Sequence, residues 1–225
     1  MVETLIVNGV SAWQMMYRNA HVQTGQTILV HGANGGVGTV LVQLALHAGV
    51  RVIGTAAPRN HDALRTLGVE PVDYGDKNWA ARVQALSPNG VDAVFDHLGI
   101  ESAKLSFGLL ARGGTLVAYG MATQLKVKET TSMVALFMKF LVQITLWNAL
   151  PNTRHATFYN FWGGRSINPI GFRRRFREDL TAILELLAQG AISPQIAARF
   201  PLTQIVAAME LAESRTVTGK VVLIP

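Results

Sequence analysis

The segment "VHGANGGVGTVLVQLA", Val30 to Ala45, places glycines at Gly35, Gly36 and Gly38 between two apolar runs. Glycines at this spacing let a chain turn tightly. They also let backbone N–H groups approach a phosphate with no side chain in between. The run before them, "TILVHGA", is rich in β-formers, as a buried strand should be. The run after them, "VGTVLVQLALHAG", carries apolar residues at helical spacing and closes on Gly49. Strand, glycine turn and helix in this order suit a dinucleotide pyrophosphate held by Gly35, Gly36, Val37 and Gly38 at a helix N-terminus. A tight turn without a ligand is the plainer reading, and the ordered elements around the motif outweigh it.

The end of the next strand-like run, "RVIGTAAPRNH", bears on which dinucleotide. A carboxylate about 20 residues beyond the glycines would hold an unphosphorylated ribose. No Asp or Glu occurs from Val40 to His61, whereas Thr55 and Arg59 are present. Those two could hold a 2′-phosphate, so the expected cofactor is NADP(H).

Hydride chemistry needs positioning more than an elaborate catalytic apparatus, because the cofactor carries the reactive bond. His31, His97 and Tyr119 fall near predicted C-terminal ends of strands, where ligands bind in such sheets. The favoured reading of each is a strand-end residue satisfied by local hydrogen bonds. No Ser-His-Asp arrangement stands out. The six histidines are dispersed and there is no cysteine, so no metal site is expected.

The elements that would position these residues follow one rhythm. After "RVIGTAA" come helix-like "HDALRTLG", strand-like "EPVDYG", helix-like "NWAARVQAL", strand-like "VDAVFDHLG", helix-like "SAKLSFGLLARGG" and strand-like "TLVAYG". This alternation predicts an α/β fold: a doubly wound parallel sheet of the Rossmann type. The rhythm breaks at 121–172, which reads as an apolar insertion without a clean β-α unit. Within it, "MVALFMKFLVQITLWNAL" approaches the length of a membrane span but is interrupted by Lys139, Gln143 and Asn148. Phe137, Phe140, Ile144 and Trp147 recur at helical spacing, which favours a core or pocket wall over a dimer surface or a lipid-facing one. "FYNFWGGRSINP" reads as a loop near a pocket mouth. Beyond it, "RFREDLTAILELLAQG" is a helix, and "IAARFP" and "GKVVLIP" are strands around the helix "LTQIVAAMELAESR".

With 225 residues, nearly half of them hydrophobic, the chain can bury a substantial core. Its formal charge of +6 is mostly scattered. The cluster at Arg173, Arg174, Arg175 and Arg177 is followed at once by acids, so a solvated helix start is favoured over nucleic-acid binding. The N-terminal residues lack signal-peptide character, and with no cysteine the chain reads as cytoplasmic.

Together "GVSAWQMMYRNAHVQTGQTILVHGANGGVGTVLVQLA", "VDAVFDHLG", "GGTLVAYG" and "ESRTVTGKVVLIP" resemble the quinone oxidoreductase, or zeta-crystallin-like, branch of the medium-chain dehydrogenase/reductase superfamily. The resemblance implies an NADPH site. Ala33 and Asn34 would join Gly35 to Gly38 in the pyrophosphate loop. Thr55, Arg59 and Tyr74 would hold the 2′-phosphate. Leu98 and Gly99 would line the cofactor, and Tyr119, Gly120 and Met121 would lie near the nicotinamide ribose. Ser11 would stand near the nicotinamide, and Arg215 would reach the cofactor from the C-terminal segment. Ser11 and Tyr119 are the weak catalytic candidates.

Members of that branch begin with a GroES-like domain, and this chain starts almost at the helix that enters the nucleotide domain. Residues 1–190 are therefore expected as the nucleotide-binding domain and 191–225 as the remnant of the catalytic domain. The strands "IAARFP" and "GKVVLIP" then lack their usual partners, and a homodimer is expected to cover them. The functional expectation is an NADPH-dependent reductase of quinones or α,β-unsaturated carbonyls, with a small apolar substrate. The alternatives are an NADPH-binding module without catalysis of its own and an acyl-chain enoyl reductase.

Overall fold

The computed structural model describes residues 3–122, 132–214, 216, 217 and 219–225. Helix α1 (Glu3–Trp13) runs on into a π-helical turn over Gln14–Asn19. Five β-α units follow. They are β1 (Thr27–His31) with α2 (Gly38–His47), β2 (Arg51–Ala56) with α3 (His61–Thr66), β3 (Glu70–Asp73) with α4 (Trp79–Leu86), β4 (Val91–Asp96) with α5 (Ile100–Gly108), and β5 (Leu110–Ala118) with α6 (Met133–Ala149). Then come β6 (His155–Phe158), α7 (Pro169–Ala188), β7 (Ile196–Pro201), α8 (Ile205–Ser214) and β8 (Lys220–Ile224).

The first six strands form one parallel sheet in the order β3-β2-β1-β4-β5-β6. The chain reverses direction across the sheet between β1 and β4, which opens a crevice at their C-terminal ends. Side chains alternate between the two faces, as the period of a strand requires. Ile28, Val30, Val52, Phe95 and Val117 pack with α1, α2 and α7. Leu29, Ile53, Val94 and Leu116 pack with α4, α5 and α6. Both faces are covered, so the strands read as continuous apolar runs.

Two expectations are corrected here. The described part of 121–172 holds a further β-α-β connection, with β6 parallel to β5 in register Leu116↔Ala156. The sequence hides it because β6 has four residues of which one is buried, and α6 is apolar on nearly every side. The helix expected over "SAKLSFGLLARGG" stops at Gly108, and "LARGG" opens β5 through a register shift opposite Val91 to Ala93.

On α6 the helical spacing does mark the buried face. Phe140, Ile144 and Trp147 are buried. Trp147 stacks on Phe107 at 4.6 Å, and Phe137 meets Phe158 edge-on at 5.0 Å. Among the described residues no helix is long and apolar enough to cross a membrane. The strands expected to lack partners have each other: β7 and β8 form a separate two-stranded parallel sheet. Pairing within the chain therefore takes up one edge of each strand.

Candidate functional site at the strand ends

The site grows from the turn after β1. Gly32 has φ +64°, a left-handed conformation that suits glycine. The turn is tied to β2: Gly32 N–H donates to Thr55 Oγ1 at 3.2 Å and Ala33 N–H to the Thr55 carbonyl at 3.0 Å. Gly35 N–H closes back on the Gly32 carbonyl at 2.8 Å. A side chain on Gly38 would drive its Cβ into the Gly32 carbonyl oxygen, so Gly38 sets how closely α2 meets the turn. Gly54 does the same from β2, where a Cβ would lie 2.7 Å from Ala33 Cβ.

The N–H groups of Gly36 and Val37 have no acceptor among the described residues. They lie at the open start of α2, where the helix carries partial positive charge. Gly35 is exposed beside them. Donors without acceptors around a bare backbone form a cradle for an anion.

Beneath the cradle runs a buried polar chain. Thr55 Oγ1 lies 3.2 Å from His31 Nδ1, and His31 Nε2 lies 2.9 Å from Ser106 Oγ. Ser106 donates to Asp96 Oδ2 at 3.0 Å, Ser102 donates to the same oxygen at 2.7 Å, and Leu98 N–H donates to Asp96 Oδ1 at 2.7 Å. With His31 protonated on Nε2 every link has one donor and one acceptor, so the chain is satisfied as a neutral imidazole. Burial holds His31 below its ordinary pKa, and Asp96 opposes that only in part. His31 is thus the locally satisfied strand-end residue rather than an exposed acid.

The other expected site residues divide. Thr55 is 1% exposed, and its hydroxyl serves Gly32 and His31 inside the protein, which takes it away from an outside phosphate. Arg59 is exposed on the 3₁₀ turn Pro58–Asn60 that caps β2, and Tyr74 is exposed at the end of β3, its N–H on the Ala56 carbonyl. Leu98 and Gly99 form the turn after β4, with Gly99 at φ +128°. Tyr119 N–H donates to the Asp96 carbonyl at 2.8 Å, and Gly120 lies against His97, where a Cβ would be 2.9 Å from the His97 carbonyl oxygen. Met121 follows at the same strand end and packs against the core below the sheet. Burial, and then the Asp96 charge, push the Tyr119 phenol above its ordinary range. The His97 ring lies 5.5 Å from Tyr119 and leans over Gly32. Arg215 lies outside the described residues.

Ser11 is buried on α1, and its hydroxyl bonds Tyr159, which also donates to Gln14 Oε1 at 2.9 Å. Burial pushes Tyr159 up to about 12. Gln14 and Arg18 both bond the buried Asp179 of α7, at 2.6 and 2.8 Å. Gln14, Arg18 and Tyr159, with the loop at Phe161 and Gly163, border a cavity of about 330 Å³, so the aromatic, glycine-rich stretch does edge a pocket. A second cavity, of about 280 Å³, lies between α2 and α3, beside Asn34, Thr39 and Asn60. Gly54 and the partners of His31, which are Ser106 and Asp96, were missed in the sequence. Their signal is a small residue facing the glycine turn and polar residues on otherwise apolar strands.

The family model described as zinc-binding dehydrogenase matches residues 67–223. Among the described residues no three His, Cys, Asp or Glu side chains gather as a metal would need, and the chain has no cysteine. The zinc of that description therefore finds no donor set here. The human synaptic vesicle membrane protein VAT-1 homolog is 31% identical over an alignment covering 98% of this chain and 56% of the human protein. The probable quinone oxidoreductase of Schizosaccharomyces pombe is 29% identical, covering 97% of this chain and 61% of that protein. A mycobacterial protein solved in complex with NADPH superposes with TM-score 0.73 at 26% identity, over 97% of this chain and 62% of that one. The chain thus spans between half and two thirds of the length of these relatives.

Proposed function

The chain belongs to the zinc-binding dehydrogenase family, within the medium-chain dehydrogenase/reductase superfamily, and we propose that it binds NADPH and directs hydride to a quinone or an α,β-unsaturated carbonyl. The observation that carries this reading is the pair of acceptor-less N–H groups at Gly36 and Val37, at the C-terminal end of β1. The names of the fission-yeast and mycobacterial relatives support it.

In this reading the Gly36 and Val37 amides and the start of α2 bind the diphosphate. Arg59 holds the 2′-phosphate alone, since Thr55 is committed internally. Tyr74 offers an exposed ring at the end of β3, on the adenosine side. Leu98, Gly99, Tyr119, Gly120 and Met121 line the crevice where the sheet order reverses, and Ser11 approaches it from α1. NADPH supplies the hydride when bound. The chain's own contribution is orientation and exclusion of water, with the Tyr119 hydroxyl held protonated and able to donate a hydrogen bond.

Residues 1–190 are proposed as the nucleotide-binding domain and 191–225 as part of the catalytic domain. A homodimer is proposed as well. Val134, Met138, Val142 and Leu146 form a line along α6, each more than half exposed, and a second copy would cover it. Light scattering at micromolar concentration tests this, and a clean monomer contradicts it.

A second reading is binding without turnover. His31 and Asp96 favour it, because both are fully engaged in the internal chain and neither is poised for acid–base work. Titration calorimetry with NADPH, run beside NADPH oxidation with a panel of quinones and enones, separates the two. Binding with turnover supports the reductase, and binding alone supports the module.

A further inference from the structure

We propose that the cavity between the π-helical turn, the loop after β6 and the start of α7 is a second ligand site, suited to a small carboxylate that carries a flat apolar ring. None of its lining residues belongs to the glycine turn after β1 or to the proposed cofactor contacts, so the inference stands apart from the NADPH reading.

The π-helical turn shapes one wall. Ala20 N–H bonds the Met15 carbonyl, five residues back, at 2.9 Å. The widened turn sets Gln14, Arg18 and Asn19, at i, i+4 and i+5, along the cavity. Single π-helical turns of this kind recur at functional sites. Gln14 accepts from the Tyr159 hydroxyl and donates to Asp179, so this wall is fixed from within.

The cavity is positive. Its lining residues include no Asp or Glu, whereas two guanidiniums reach it. Arg18 spends Nε and Nη2 on Asp179 and Glu178, and its Nη1 is outside those bonds. Arg175 enters no ion pair among the described residues. Its Nη2 lies 3.5 Å from the Gly163 carbonyl oxygen, at the limit of a hydrogen bond, so that contact holds little of the guanidinium's donor capacity. Gly164, at φ +80°, lets the loop pass beneath it: a Cβ there would lie 3.2 Å from the same nitrogen. Arg175 is half-buried, while Arg173, Arg174 and Arg177 are exposed, so a solvated helix start describes those three and not Arg175. Asn160 Oδ1 accepts from Trp162 N–H at 3.0 Å, which leaves its amide nitrogen as a further donor.

The rest of the lining is aromatic. Phe172 stacks with Trp162 at 6.2 Å and with Phe176 at 6.1 Å, and Phe161 meets Phe176 edge-on at 5.9 Å. These four rings stand outside both cores that cover the sheet. Ring faces beside an arginine without a carboxylate partner match a ligand with two ends. The rings take a flat apolar body, and the guanidinium fork takes a carboxylate through two parallel bonds. The volume of about 330 Å³ is at the lower end of the roughly 300–1,000 Å³ of small-molecule sites, which suits a ligand of one ring.

The test is an NMR titration of the whole chain with benzoate and with benzamide, which has the same shape and no charge. Benzoate should bind saturably, and benzamide about tenfold more weakly or worse. Arg175→Gln should weaken benzoate about tenfold, Arg175→Lys should weaken it less, and Arg174→Gln should leave it unchanged. Saturating NADPH should not displace benzoate. No saturable binding of benzoate at millimolar concentration overturns the site, as does equal affinity for benzamide. An equal loss in Arg174→Gln and Arg175→Gln also overturns it, because it would mark a diffuse charge effect. Displacement by NADPH overturns it too, since benzoate would then lie in the cofactor crevice. A chain that binds benzoate and not NADPH refutes the NADPH reading and leaves this inference standing. If Arg175→Gln does not fold, Arg175→Lys and the benzamide comparison decide.

Discussion

His31 Nε2 lies 2.9 Å from Ser106 Oγ, and that contact joins the end of β1 to α5 beneath the glycine turn. Nε2–H donates to Ser106, whose hydroxyl donates to Asp96, and it is the other ring nitrogen, Nδ1, that must be unprotonated to accept from Thr55. Burial keeps the folded His31 below its ordinary pKa, whereas the unfolded chain titrates near 6.5. Below that pH the unfolded chain binds more protons than the folded one. Stability is therefore complete above about pH 6.5 and is lost as pH falls toward the folded value, by at most about 1.4 kcal/mol per pH unit. Urea unfolding at pH 7.5 and 5.5 checks this. The loss should be larger in the wild type than in His31→Gln, and equal slopes would remove His31 from the account.

Gly36 and Gly38 should fail in different ways. The neighbours of a Cβ at Gly36 are the flexible ends of Asn8 and Lys220, which can move aside. Gly36→Val should fold and lose NADPH. At Gly38 the neighbour is the Gly32 carbonyl, which is backbone, so Gly38→Val should lower the melting temperature as well. Thermal unfolding of both variants is the check, and matching melting temperatures would show that Gly38 has room the geometry denies it.

Arg59→Ala should weaken NADPH about tenfold or more and leave NADH nearly unchanged, because only NADPH carries the 2′-phosphate. Competitive titration of the two cofactors reads the difference. Thr55→Val should act otherwise: its hydroxyl bonds Gly32 and His31, so it should reduce stability rather than the preference for NADPH.

The face of α6 that carries Phe140 and Trp147 should be worth far more than the face that carries Val142. Phe140→Ala should cost about 3–5 kcal/mol of stability, because the ring is wholly buried against the sheet. Val142→Ala should change it by less than about 0.5 kcal/mol in the monomer. Denaturant unfolding at low protein concentration separates them, and similar values would contradict the observed orientation of the helix.

What the sequence revealed and concealed follows from the range of each interaction. The glycine turn, the buried strands and the α6 spacing are local patterns, and they mark β1 to β5 and the Phe140 face in the sequence itself. The acid-free stretch beside Arg59 was legible in the same way. What the Thr55 hydroxyl bonds was hidden, because its partner His31 is 24 positions away and only the sheet register opposes the two residues. Strand β6 was missed because its burial depends on β5 rather than on an apolar run of its own. Asn8 and Lys220 are ordinary letters in the sequence, and only folding brings them together over Gly36.

The central claim is that the cradle after β1 binds NADPH, and one calorimetric titration tests it most directly. Wild-type chain and Gly36→Val are titrated with NADPH under the same conditions. The account predicts one site per chain in the wild type and no measurable binding in a folded Gly36→Val. Undiminished NADPH affinity in the folded variant, or no binding by the wild type, would contradict it.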